Sequence, residues 1–175
     1  MKDVRDYLID QTGLDFQRMF ENWSWRLSGS FTVWLITRFG DLFITQDDGG
    51  VWWLRLDDGS YTRVAASKEE FLSQIDDGAA NDRLMIPLVD RLVAAGKALK
   101  EKECYAFVQL PILGGDYVVE NVVVRDLAFQ YAALGPVFEK IKDLPDGAQF
   151  SFRIENQEDA HPGGTDNSGA APRRV

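Results

Sequence analysis

A chain of 175 residues that is 45% hydrophobic and 12% aromatic can bury one core without disulfides or metal ions, and the composition argues against a disordered protein. Its 28 acidic against 19 basic residues give a formal charge of -9, which argues against direct nucleic-acid binding and makes a basic protein face the partner such a surface would attract. The longest apolar run falls short of the roughly 18 to 20 residues that span a bilayer, and MKDVRDYLIDQTG lacks a signal-peptide core, so a cytoplasmic protein with no membrane segment is expected.

Val4, Leu8 and Ile9, then Phe16, Met19, Phe20 and Trp23, recur at helical spacing, which predicts two short helices before a sheet. The sheet itself begins in the stretch Phe31 to Arg63, where β-branched and aromatic runs are broken by Gly40-Asp41, Asp48-Gly49-Gly50 and Asp58-Gly59. Residues that tolerate positive φ at these breaks predict a β-meander. Phe31 to Ile36, nearly all apolar, reads as a strand covered on both faces, and Val51 to Leu56, which carries Arg55, reads as half exposed. Trp23, Trp25, Phe31 and Trp34 read as core or interface anchors, since no paired acids beside them suggest a cation cage.

After the meander, Ser67 and Glu70 form a capping box ahead of the apolar stripe Phe71, Leu72 and Ile75, and Asp76-Asp77-Gly78 ends that helix. A second helix is expected over about residues 81–95, with Pro87 either opening or kinking it and Gly96 closing it. Cys104 to Leu110 and Tyr117 to Val124 carry strand-forming residues around Pro111 and Gly114-Gly115, and a helix follows over about residues 126–142 despite Gly135-Pro136. Pro145-Asp146-Gly147 predicts a turn and Gln149 to Ile154 a last strand, and from about Asn156 the loss of large apolar residues predicts a disordered tail. The expected architecture is a single α+β domain, residues 1–155, with a mainly antiparallel sheet packed by helices, followed by a polar tail over residues 156–175.

Reactive constellations are sparse. Cys104 has no second cysteine to pair with, and with His161 alone it cannot supply the three or four ligands of a zinc site, so it reads as a packing thiol. His161 lies in the tail, no GxSxG motif occurs, and Gly114-Gly115 fits neither phosphate-loop pattern, so neither a Ser-His-Asp triad nor a nucleotide site is supported. No catalytic residue, metal ligand or cofactor site is therefore assigned. The acid pairs Asp47/Asp48 and Asp57/Asp58 at successive turns, with Asp76/Asp77 at a helix corner, are explained by turn chemistry before metal binding and are otherwise candidate contacts for a basic partner. A rival reading takes Trp52, Trp53, Tyr105 and Tyr117, near glycine-rich turns, as the walls of a small-ligand or sensor pocket.

Three stretches in order carry a resemblance: RFGDLFI (residues 38–44) with TRVAASKEEF (62–71), CYAFVQLPILGGDYVVENVVV (104–124) and IKDLPDGAQ (141–149). Together they resemble the C-terminal domain family of immunity proteins that neutralise DNase toxins delivered by bacterial type VI secretion. The resemblance implies an α+β bacterial cytoplasmic protein without catalysis. Its partner would be a cognate protein toxin, a nuclease, whose active site or substrate surface it blocks. Gly40, Asp41, Gly114, Gly115 and Asn121 would then be residues that keep the fold.

Overall fold

Four consecutive strands, β1 (Phe31–Ile36), β2 (Leu42–Gln46), β3 (Val51–Leu54) and β4 (Tyr61–Ala65), pair antiparallel in the order β1-β2-β3-β4. The computed structural model describes residues 3–145 and 148. Gly40, Gly49 and Gly59 sit in the three connecting turns at φ of 81°, 78° and 72°, a region in which a Cβ meets the following carbonyl oxygen. The expected meander is present.

The burial of its strands reverses the expectation. β3, between β2 and β4, hides Val51, Trp53 and Leu54, whereas in the edge strand β1 only Ile36 is fully buried and Thr32 is exposed. Position in the sheet outweighs apolar content here, because an edge strand has a neighbour on one side only. Arg55 does not open β3 to solvent either. It lies just past the strand end, where its guanidinium stacks on the Trp53 ring at 4.9 Å.

Each face of the sheet receives its own cover. In the β2–β3 register Phe43 lies opposite Trp53, the two rings stack at 5.4 Å, and Phe71 of helix α2 (Lys68–Gln74) closes over Phe43 at 4.6 Å. The other face meets α1 (Phe16–Phe20) and α5 (Leu127–Ile141): Phe20 packs on Phe31, Trp23 packs on Tyr131 and Phe138, and the Tyr131 hydroxyl donates to the Gly40 carbonyl at 2.6 Å. Gly135 lets α5 come close, since a Cβ there would lie 2.5 Å from the Asn22 carbonyl oxygen. Pro136 is tolerated in α5 because the carbonyl it leaves without a partner, that of Ala132, faces the exposed side.

Ser67 caps α2 by accepting from Glu70 N at 3.2 Å, while the Glu70 carboxylate reaches one residue further than a capping box requires and accepts from Ala66 N at 2.6 Å. Phe71 and Ile75 are buried, but Leu72 is exposed, so the stripe is narrower than expected. The helix expected over residues 81–95 is broken. α3 (Ala80–Arg83) stops at Leu84, Met85 turns to φ 49°, and α4 (Ile86–Ala94) starts with Pro87 in its first turn. The proline ring would meet the carbonyl of Arg83 in a continuous helix, so Pro87 opens a new one. At the far end Gly96 (φ 79°) donates to Val93 O and Lys97 N to Leu92 O, closing α4 with a Schellman turn.

A hairpin of β5 (Glu103–Phe107) and β6 (Val122–Asp126) completes the domain. It attaches to the meander through Tyr105 N to Arg38 O at 2.8 Å and through Phe39, which stacks on Phe107 at 5.1 Å. Both strands begin and end elsewhere than expected: Val108 to Leu110 lie beyond β5, and β6 starts only at Val122 after a 3₁₀ turn over Val119–Asn121. The protein is thus an α+β single domain, a four-stranded and a two-stranded antiparallel sheet packed with helices. The turn at Asp146-Gly147, the strand Gln149 to Ile154, His161 and the tail over residues 156–175 lie outside the described residues.

Candidate functional site

The β1–β2 and β3–β4 turns lie at the same end of the sheet, and two carboxylates tie them together. Asp41, only 1% exposed, accepts from Leu56 N at 2.8 Å and from Trp53 Nε1 at 3.3 Å. Burial, reinforced by the nearby Asp57 carboxylate, pushes Asp41 up to about 8. Asp57 is equally buried, and Arg55 grips it with two prongs, Nε at 3.0 Å and Nη2 at 2.5 Å. Asp58 lies 3.8 Å from the same guanidinium on the solvent side.

A third group reaches this cluster from the β5–β6 connection: the Tyr117 hydroxyl donates to Asp57 Oδ2 at 2.6 Å, and Ile112 N bonds to the Asp57 carbonyl. Desolvation of its hydroxyl and the hydrogen bond to Asp57 raise the Tyr117 phenol, so it stays a donor. The rest of the connection is closed by its own polar groups. Asn121 Oδ1 accepts from Gln109 N, and its Nδ2 donates to the carbonyls of Gln109 and Asp116, each at 2.9 Å. Gly115 packs so tightly that a Cβ would sit 1.9 Å from the Gln109 carbonyl oxygen.

This built loop presents apolar side chains outward. Val108, Ile112, Tyr117 and Val118 are 61%, 47%, 43% and 37% exposed. Asp116 and Glu120 alternate with them and are also exposed. Beneath the loop the half-buried Lys97 turns its ammonium to the carbonyls of Val119 and Val122, and the exposed Arg91 reaches the Tyr117 carbonyl at 3.3 Å.

The sequence-selected acids are dispersed. Asp47 and Asp48 occupy the opposite end of β3, both exposed, with Asp48 3.2 Å from Arg63; Asp57 and Asp58 belong to the cluster above; Asp76 and Asp77 are exposed in the π-helical turn (Ile75–Ala79) after α2. The four aromatics are dispersed too. Trp52 and Trp53 are consecutive in β3 and point to opposite faces, Trp52 against Tyr61 at 5.1 Å and Trp53 against Phe43. Tyr105 is fully buried beside Phe39 and donates to Lys97 O, and Tyr117 stands edge-on to Phe107 at 5.2 Å. Only Asp57 and Tyr117, singled out for different reasons, meet.

Asp41 was legible as a turn residue but not as a buried clasp. Val108 and Val118 fall in the two stretches expected to be strand and Ile112 in the break between them, and the apolar side chains among Pro111, Gly114 and Gly115 in LPILGGDYVV are the signal for a presented loop. A cavity of about 10 Å³ beside the cluster, lined in part by Asp41, Asp57 and Gln130, holds at most one water molecule. Among the described residues no group of three or more His, Cys, Asp or Glu could hold a metal ion, and no helix is long and apolar enough to cross a membrane. Cys104 is buried, and burial pushes its thiol upward, away from the reactive thiolate.

The comparison with known families bears on the stretch of the chain that carries this loop. Residues 65–129 match the family described as T6SS immunity protein Tdi1, C-terminal. The Tdi1-type match takes in α2 to α4, the whole β5–β6 hairpin with its loop and the start of α5, and leaves the meander up to Val64 outside. It contains all of the stretch over residues 104–124 that carried the resemblance, and none of that over 141–149. The match covers 65 of the 175 residues. No curated protein matches the chain.

Proposed function

We propose that this chain is an immunity protein that binds a cognate toxin, a nuclease delivered by type VI secretion, and neutralises it in the producer's cytoplasm by covering its active or substrate-binding face. The observation that carries the reading is the Tdi1-type match over residues 65–129. A formal charge of -9 supports it, because a nuclease holds its substrate with clustered cations, and an acidic surface competes for them. The protein acts by occupancy and turns nothing over. Of the acids selected in the sequence, Asp58 lies at the end of the sheet that meets the β5–β6 connection and is the one offered to the toxin there; Asp57 is held inward by Arg55 and Tyr117 and serves the fold, and Asp47, Asp48, Asp76 and Asp77 lie elsewhere on the surface.

Co-expression tests this directly. The toxin encoded beside the chain should arrest growth alone, and growth should return when the chain is supplied, with the two proteins co-purifying. Arrest that persists despite abundant folded chain would discard the proposal.

A further inference from the structure

Half of the large apolar side chains exposed among the described residues fall in the short stretch from Val108 to Val118. Scattered exposed apolar groups need no explanation, but four within eleven residues of one loop are a concentration that does. The loop is also held in one shape: by the Asn121 bonds to Gln109 and Asp116, by Gln109 Nε2 to Leu113 O at 2.8 Å, by Gly114 at φ 85° and by Tyr117 to Asp57. Ordering has therefore been done before any partner arrives, which removes a large part of the cost of binding.

We infer that Val108, Ile112, Tyr117 and Val118 on the β5–β6 loop are the apolar anchor that docks into the toxin, with Asp116, Glu120 and Asp58 as its acidic rim. This deepens the immunity reading and rests on it. The occupant is a protein surface that carries an apolar depression framed by Lys and Arg. Three observations select it. The loop lies wholly within the Tdi1-type match. Its acids face solvent while the cations beside it, Lys97 and Arg91, are turned onto backbone carbonyls. A second copy of a chain with a charge of -9 would bring like charges together, and an anionic membrane would repel the rim.

The test measures the affinity of the full chain for a catalytically inactive form of the toxin encoded by the adjacent gene. Ile112→Asp with Val118→Asp should weaken binding by about 30-fold or more, as loss of a buried anchor does. Leu72→Asp, an equally exposed apolar site on α2, should stay within about 3-fold of wild type because it lies apart from the loop. Should the Asp pair lower the melting temperature, Ile112→Ser with Val118→Thr is the milder pair, expected to weaken binding by roughly 5-fold. Wild-type rescue and binding combined with unchanged affinity of the loop variants would overturn the inference and leave the immunity proposal standing. A wild-type chain that neither binds nor rescues would remove both. A free chain that sediments as a dimer, dispersed by the Asp pair, would assign the loop to self-association and overturn the inference as well.

Discussion

Removing one oxygen from Tyr117 probes the link between the meander and the loop. Tyr117→Phe keeps the ring edge-on to Phe107 and deletes only the donor to Asp57 Oδ2 at 2.6 Å. A hydrogen bond to a charged group contributes about 1.5 to 3 kcal/mol, and the partial exposure of this side chain, 43%, brings the expectation down to roughly 1 to 2 kcal/mol. Asp57 keeps both bonds from Arg55, so no buried charge is stranded and the cost should not exceed that range. In urea the midpoint should fall with an unchanged slope, and the melting temperature should drop by roughly 3 to 8 °C. Combining it with Asp57→Asn should show coupling of about 1 kcal/mol in a double-mutant cycle. A loss below about 0.5 kcal/mol for Tyr117→Phe, or strict additivity, would refute the idea that this bond fastens the loop.

Gly59→Ala should destabilise by more than about 2 kcal/mol, since it combines a positive φ with a Cβ 2.6 Å from the Phe138 ring; urea denaturation that finds less than 1 kcal/mol would mean that α5 yields there. Asp41 gives a pH signature. Its folded value of about 8 lies above the ordinary 3.8, so between pH 4 and 8 the folded state keeps a proton that the unfolded state releases. Wild type should therefore lose stability relative to Asp41→Asn as pH rises through that window, by up to about 1.4 kcal/mol per pH unit, and parallel stability curves would contradict it. The Cys104 thiol should resist an aromatic disulfide reagent in the native state and react as one thiol per chain in denaturant; fast native reaction would place it nearer the surface.

The turns of the meander were readable because glycine next to aspartate has a local reason to be there: positive φ at Gly40, Gly49 and Gly59 is a property of three or four residues. The break at Met85 was half readable, since Pro87 announces it but cannot say on which side the chain turns. What failed depends on neighbours distant in sequence. Which strand is central decides the burial of β1 and β3, and that order is set by the whole sheet. Asp41 looks like any turn acid until Trp53 and Leu56, both more than ten residues away, close on its carboxylate. Likewise the meeting of Asp57 and Tyr117 joins positions 60 residues apart, and no local pattern encodes it.

Displacement of substrate tests the central claim most directly. A labelled DNA duplex bound by a catalytically inactive form of the adjacent-gene toxin is titrated with the chain, and its fluorescence polarisation is followed at low and high salt. If the chain covers the nuclease face, DNA should leave with a one-to-one stoichiometry, and the affinity of the chain should fall as salt rises. A ternary complex in which the toxin holds DNA and the chain together, or no binding at all, would contradict it.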